Sequence, residues 1–132
     1  MPLRRTPHKP GTRKYLENCS YELQCACWFS QAGWQVFTPL FDHGHKTDLL
    51  ISDGEYSYRI QVKTAENASD GLEISNQWNG SKVDYVALFA KNSSWGIIFP
   101  AFSEKKRRLK DTDGCRFKLQ KGSFMKAFHS LP

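Results

Sequence analysis

Lys46-Thr47-Asp48-Leu49-Leu50-Ile51-Ser52-Asp53-Gly54-Glu55-Tyr56-Ser57-Tyr58-Arg59-Ile60-Gln61-Val62-Lys63-Thr64 is the stretch that decides the fold of this chain. Two β-prone runs, Lys46–Ser52 and Tyr56–Thr64, flank Asp53-Gly54, a dipeptide suited to the positive φ of a tight hairpin turn. Side chains on a strand alternate between faces, so Tyr58, Ile60 and Val62 point to a core while Arg59, Gln61 and Lys63 point the other way. A two-residue turn pairs Ser52 with Glu55 and sets Asp48 opposite Arg59, diagonal to Gln61. A register change of two residues keeps Asp48 on that face, whereas a slip of one moves it to the apolar side. An aspartate beside Leu49, Leu50 and Ile51 is unfavourable in a strand unless its charge is used. The hairpin therefore predicts a carboxylate, an amide oxygen and an ammonium converging on one patch of sheet.

Upstream, a helix is predicted over Tyr15–Ala32, ended by Gly33 in the position glycine favours. Tyr15, Cys19, Leu23, Ala26 and Cys27 form one apolar stripe; Tyr21, Cys25, Trp28, Phe29 and Ala32 form a second. A helix apolar on two sides calls for two partners, a sheet and a second subunit. Glu22 lies beside Cys19, Leu23 and Ala26 and is read as facing inward, where a carboxylate needs Lys63 or a metal as partner. Residues 1–14, with Arg4, Arg5, His8, Lys9, Arg13 and Lys14 among prolines and a glycine, read as a flexible basic arm, and 15–132 as a single domain.

Further strands are predicted at Trp34–Leu40, Leu72–Ser75, Val83–Ala90, Trp95–Pro100 and, as a short edge, Arg116–Leu119. A short helix capped by Ser103 is predicted through Lys105-Lys106-Arg107-Arg108-Leu109-Lys110, and a last helix over Ser123–Ser130. Helix, a run of strands, then helix reads as α/β: a mixed four- to five-stranded central sheet flanked by helices.

The formal net charge of +6 points to a polyanionic partner, nucleic acid above all. No apolar run approaches the roughly 20 residues of a membrane span, and Met1-Pro2-Leu3-Arg4-Arg5 lacks the apolar stretch of a secretory signal. The expectation is a cytoplasmic protein, nucleoid-associated when bound to DNA, with no membrane partner. Cys19, Cys25, Cys27 and Cys115 fit neither a zinc site nor a disulfide framework and read as small buried hydrophobes. His43-Gly44-His45 has no acidic or cysteine partner at ligand spacing and reads as a loop. Lys105, Lys106, Arg107 and Arg108, with Lys46 and Arg59 nearer the hairpin, are the expected DNA contacts. Trp78 and Trp95 suit packing, or stacking on bases.

The hairpin and Glu22 carry the parts that metal-assisted phosphodiester cleavage needs. Mg²⁺ takes oxygen ligands and needs only one or two carboxylates from protein. Asp48 is the natural central ligand, with the Gln61 side-chain oxygen, the Val62 backbone carbonyl and Glu22 as the others; Lys63 suits charge stabilisation in the transition state. Asp48 followed, after a hairpin, by Gln61-Val62-Lys63 resembles the PD-(D/E)XK nuclease superfamily, and Glu22 matches the extra acidic residue many of its members carry on the preceding helix. Thr47 stands where proline is usual and Gln61 where an acid is usual. Glutamine there, with Val83-Asp84-Tyr85-Val86-Ala87 and Trp95-Gly96-Ile97-Ile98-Phe99-Pro100, is most similar to the group I intron-encoded homing endonucleases. The resemblance implies a restriction endonuclease-like core, Mg²⁺ with Mn²⁺ able to substitute, double-stranded DNA as substrate, and a homodimer or homotetramer. A structure-specific nuclease of the Holliday junction resolvase type and a non-catalytic DNA-binding module stay open as alternatives.

Overall fold

In the computed structural model, residues 2–42 and 44–132 are described, so the His43 half of the His43-Gly44-His45 reading lies outside the described residues. The chain runs α1 (Thr12–Gln31), β1 (Gln35–Phe37), β2 (Leu49–Ser52), β3 (Ser57–Ala65), β4 (Glu73–Ser75), β5 (Tyr85–Ala90), β6 (Trp95–Pro100), β7 (Lys106–Arg108), a 3-10 turn (Leu109–Asp111), β8 (Cys115–Lys118) and α2 (Lys121–His129). Six strands form one sheet in the order β1-β2-β3-β5-β6-β8, and β4 pairs with β7 as a separate two-stranded ribbon. β3 and β5 are parallel and every other pairing in the large sheet is antiparallel. This is the mixed central sheet the sequence implies, with six strands rather than four or five because both short edge segments, β1 and β8, join it.

The sheet is covered on both faces, which is why β5 and β6 are buried almost throughout. One face packs on α1 and α2 through Cys25, Trp28, Phe29, Phe124 and Phe128 against Leu49, Ile60, Phe89 and Phe117. The other packs under the ribbon, with Ile74, Trp78, Phe102 and Leu109 against Val86, Leu88, Ile97 and Phe99. The central parallel pair is thus held between a helical layer and a ribbon layer.

Four local readings change. The hairpin register is Ser52↔Ser57 and Leu49↔Ile60, two residues from the two-residue turn, so Arg59 stands opposite Leu50, and Asp48, just beyond the paired residues, donates its N–H to the Ile60 carbonyl (3.0 Å). The cause is Asp53, whose Oδ1 accepts the N–H groups of Glu55 (2.9 Å) and Tyr56 (2.8 Å) and stabilises a four-residue loop, with Gly54 at φ 108°. The segment 105–110 is a strand and a 3-10 turn instead of a helix, because Lys106–Arg108 pairs with β4 and Leu109 is pulled into the core. On α1 the second apolar stripe is the buried one, whereas Tyr15 (67%) and Leu23 (69%) of the first are largely exposed. The helix also begins at Thr12, three residues before Tyr15, with Gly11 at φ 77° turning the chain into it.

Gly96 marks the closest approach in the sheet. A Cβ there would lie 2.6 Å from the Leu88 carbonyl oxygen and 2.5 Å from the Phe117 ring. Backbone cannot yield as a side-chain tip can, so Gly96→Ala is expected to lower unfolding free energy by about 1–3 kcal/mol, the usual cost of overpacking, read by urea denaturation. Wild-type stability in that variant would show that β5, β6 and β8 are not packed this tightly.

Candidate active site

Asp48 sits just before β2, where that strand begins to pair with β3. Its N–H donates to the Ile60 carbonyl (3.0 Å), and its Oδ2 accepts the Val62 N–H (2.7 Å). Strand N–H groups lie in the plane of a sheet. The carboxylate therefore fills the in-plane gap where the next residues of β2 would otherwise continue the ladder. By the same alternation the Val62 carbonyl is aimed into that gap. An in-plane group can be reached from both faces, which is how residues from two layers come to meet at Asp48.

From the helical layer comes Glu22, half-buried on α1. Burial, then repulsion from the Asp48 carboxylate, pushes its pKa up to about 7. Asp48 itself is raised by burial, against the Val62 N–H, which lowers it; Asp42 adds a further upward push and Lys46 a downward one. Burial, and the proximity of Asp48 and Glu22, raises the nearby Cys25 thiol well above its ordinary range, so it stays protonated. On strand parity Gln61 and Lys63 belong to the opposite face. The Gln61 Oε1 and the Thr47 Oγ1 are buried and have no hydrogen-bond partner. Two orphaned oxygens on the residues that precede Asp48 and its partner Val62 in the chain are unusual, since buried acceptors are nearly always satisfied.

The lysine is placed less directly. Lys63 Nζ donates to Gln77 Oε1 at 2.8 Å and lies 3.4 Å from the Ser75 carbonyl and 5.7 Å from the centre of the Trp78 ring. Among the described residues it makes no ion pair with Glu22 or Asp48, so its ammonium is not the partner of Glu22 that the sequence offered as one option. Burial lowers its pKa. The structure thus sets Glu22 within electrostatic reach of Asp48, joins Asp48 to the Val62 backbone next to Gln61, and holds Lys63 on the ribbon side.

Among the described residues no group of three or more His, Cys, Asp and Glu side chains is gathered as a metal cluster. The oxygen set here is different in kind: two carboxylates, an amide, a backbone carbonyl and a hydroxyl. Hard oxygen donors with few carboxylates suit Mg²⁺ or Mn²⁺ rather than zinc. The orphaned Gln61 Oε1 is the atom such a cation would satisfy.

No family model matches the chain, and no curated protein matches it. Solved structures do. The bacterial homing endonuclease I-Ssp6803I is similar over 87% of this chain and 88% of its own, with 19% identity and a TM-score of 0.59. The Holliday junction resolvase Hjc of Archaeoglobus fulgidus is similar over 68% of this chain and 80% of its own, with 18% identity and a TM-score of 0.50. This chain shares the fold of these two nucleases.

Within that nuclease fold the expected DNA contacts are scattered. Lys46 is exposed at φ 61°, and half-buried Arg59 pairs with Leu50 in the sheet and lines a cavity with Thr47. Lys105, Lys106 and Arg108 are exposed on the β4–β7 ribbon, but Arg107 is engaged by Glu104 (2.9 Å) and Asp113 (3.8 Å) and covers the Phe102 ring. Trp78 is buried and Trp95 is covered by the Arg116 guanidinium, 4.3 Å from its centre, so neither offers a free stacking face. Sequence reasoning missed Gln77, the acceptor for Lys63. It is 14 residues away in an irregular polar segment with no periodic signal.

Because the Glu22 carboxyl binds its proton more tightly folded than unfolded, it adds stability that is fully present at low pH and lost as pH rises from about 4.5 to about 7. The melting temperature of metal-free protein is expected to fall across that window, and Glu22→Gln to flatten the fall. An unchanged slope in the variant would show that Glu22 is not the group responsible.

Proposed function

We propose that the protein is a metal-dependent endonuclease that hydrolyses phosphodiester bonds in double-stranded DNA, with Glu22, Asp48, Gln61 and Lys63 as its active site. The observation that carries the reading is the unsatisfied Gln61 Oε1 beside the in-plane carboxylate of Asp48, in a chain with a nuclease fold. Asp48, Gln61 Oε1, the Val62 carbonyl and Glu22 would hold the cation. A divalent cation supplies hydroxide near neutral pH and offsets charge on the scissile phosphate.

The chain's own groups divide the remaining work. The Val62 N–H fixes the Asp48 carboxylate and favours its ionised form. Glu22, with its pKa near 7, gives up its proton at slightly alkaline pH, so ligand charge and hence cation affinity rise with pH. Lys63 rotates off Gln77 to place its ammonium against the phosphate oxygens as negative charge builds there.

Likeness to I-Ssp6803I over nearly the whole of both chains favours a homing endonuclease. The second reading, a junction resolvase, is favoured by the likeness to Hjc. Digestion of linear duplexes beside four-way junctions separates them: a homing enzyme cuts a defined duplex site, a resolvase cuts the junction.

With Mg²⁺ or Mn²⁺, wild-type protein is expected to cleave DNA, Asp48→Ala to bind but not cut, and Lys63→Ala to cut about 10²–10³-fold more slowly, the cost typical of losing one transition-state charge partner. Equal cleavage by wild type and Asp48→Ala would end the proposal. A homodimer or homotetramer completes the reading, because Tyr15, Leu16 and Leu23 leave an apolar stripe exposed on α1. Light scattering is expected to give two or four copies; a monomeric mass would remove this element.

A further inference from the structure

The β4–β7 ribbon is too small to be there for its own stability. Three register pairs, Glu73↔Arg108, Ile74↔Arg107 and Ser75↔Lys106, make up the whole of it, and an isolated two-stranded ribbon is marginal in water. It is fastened instead from beneath. Ile74 is buried in the lower core. The Asn76 side chain donates to the Phe102 (2.9 Å) and Glu104 (3.2 Å) carbonyls, and Trp78 Nε1 donates to the Phe102 carbonyl at 3.2 Å. Arg107, on the inner face, is occupied by Glu104, Asp113 and the Asp111 carbonyl.

The outer face has the opposite character. Alternation turns Glu73, Ser75, Lys106 and Arg108 outward, and all four are exposed, as are the flanking Lys105 and Lys110. Among the described residues, Lys105, Arg108 and Lys110 make no ion pair. Lys106 reaches only Glu73, at 3.9 Å with both side chains more than half exposed, a pair worth little in water. The outward-turned residues of the two strands thus carry two cations, Lys106 and Arg108, against one carboxylate, Glu73, with Lys105 and Lys110 exposed at the two ends of β7. The Ser75–Lys106 end of the ribbon adjoins the candidate active site, because the Ser75 carbonyl is 3.4 Å from Lys63 Nζ.

We propose that this outer face is the surface on which the DNA duplex lies: Lys106 and Arg108 take backbone phosphates while the ribbon enters the major groove. The identity of the polyanion rests on the nuclease reading; the position of the surface rests on the ribbon. A two-stranded ribbon fits the width of the B-DNA major groove, phosphate contacts set its register, and the fastening from beneath means that little order is lost on binding. Arg107 is excluded from the contact and serves as part of the brace.

The test is duplex binding by fluorescence anisotropy in Ca²⁺ across a salt series. Wild type is compared with Lys106→Gln/Arg108→Gln and with Lys121→Gln/Lys126→Gln, an equal charge change on α2 in the opposite layer. The ribbon pair is expected to weaken binding roughly tenfold near 0.1 M salt and to reduce the slope of log K against log salt by about 2, one for each lost phosphate contact. The α2 pair is expected to stay within about twofold with the slope unchanged. Unaltered melting temperatures verify that both variants fold, as exposed positions allow. Equal losses in the two pairs, or none in the ribbon pair, would overturn the proposal while leaving the nuclease reading intact. Failure of wild type to bind any duplex would overturn both.

Discussion

The hydrogen bond from the Val62 N–H to the Asp48 carboxylate is the contact on which the arrangement of the candidate site depends. It closes the β2–β3 ladder with a side chain where backbone would otherwise continue, and so opens a gap in the plane of the sheet. A group standing on either face of a sheet is screened from the other by the sheet itself. A group in its plane is not. That is the physical reason a glutamate from the helical layer and a glutamine from the opposite face can address one carboxylate, and why both acids resist ionisation more than free ones do.

The parallel β3–β5 pair gives that gap its setting. Both faces of the pair are buried, which demands a layer on each side. α1 and α2 supply one and the ribbon with its connecting segments supplies the other. Each layer brings one part of the site: Glu22 with the helices, and the acceptors that hold Lys63 with the ribbon side. Lys91, at the end of β5, shows the same economy on a structural residue. Its side chain is 6% exposed and is satisfied by Glu17, Glu66 and the Asn18 side-chain Oδ1, which ties α1 to the end of β3. A buried lysine left without such partners would be costly.

Much of the framework was legible residue by residue. The alternation in Tyr58-Arg59-Ile60-Gln61-Val62-Lys63 assigned the faces of β3 correctly, and those assignments survived a two-residue change of register because side-chain direction repeats every two residues. The apolar run at Val83–Ala90 announced the central strand. The basic run at 105–110 misled, since lysine and arginine are good helix formers and local propensity outweighed a strand pairing that depends on Glu73–Ser75 more than thirty residues upstream. On α1, two stripes of similar apolarity could not be ranked without knowing which one met the sheet.

What the sequence determined by itself was chemistry and periodicity: which residues carry oxygen donors and charge, which strands exist, and which side chains share a face. These are local properties, set by side-chain type and by the two- and 3.6-residue repeats of the backbone. What only the tertiary structure decided was coincidence in space. The hairpin register depends on how Asp53 folds its own loop, the in-plane seat of Asp48 on where β2 leaves β3, and the tether of Lys63 on a ribbon built from two distant segments. Each is a contact between residues whose separation along the chain carries no periodic signal, so it exists only once the layers have packed.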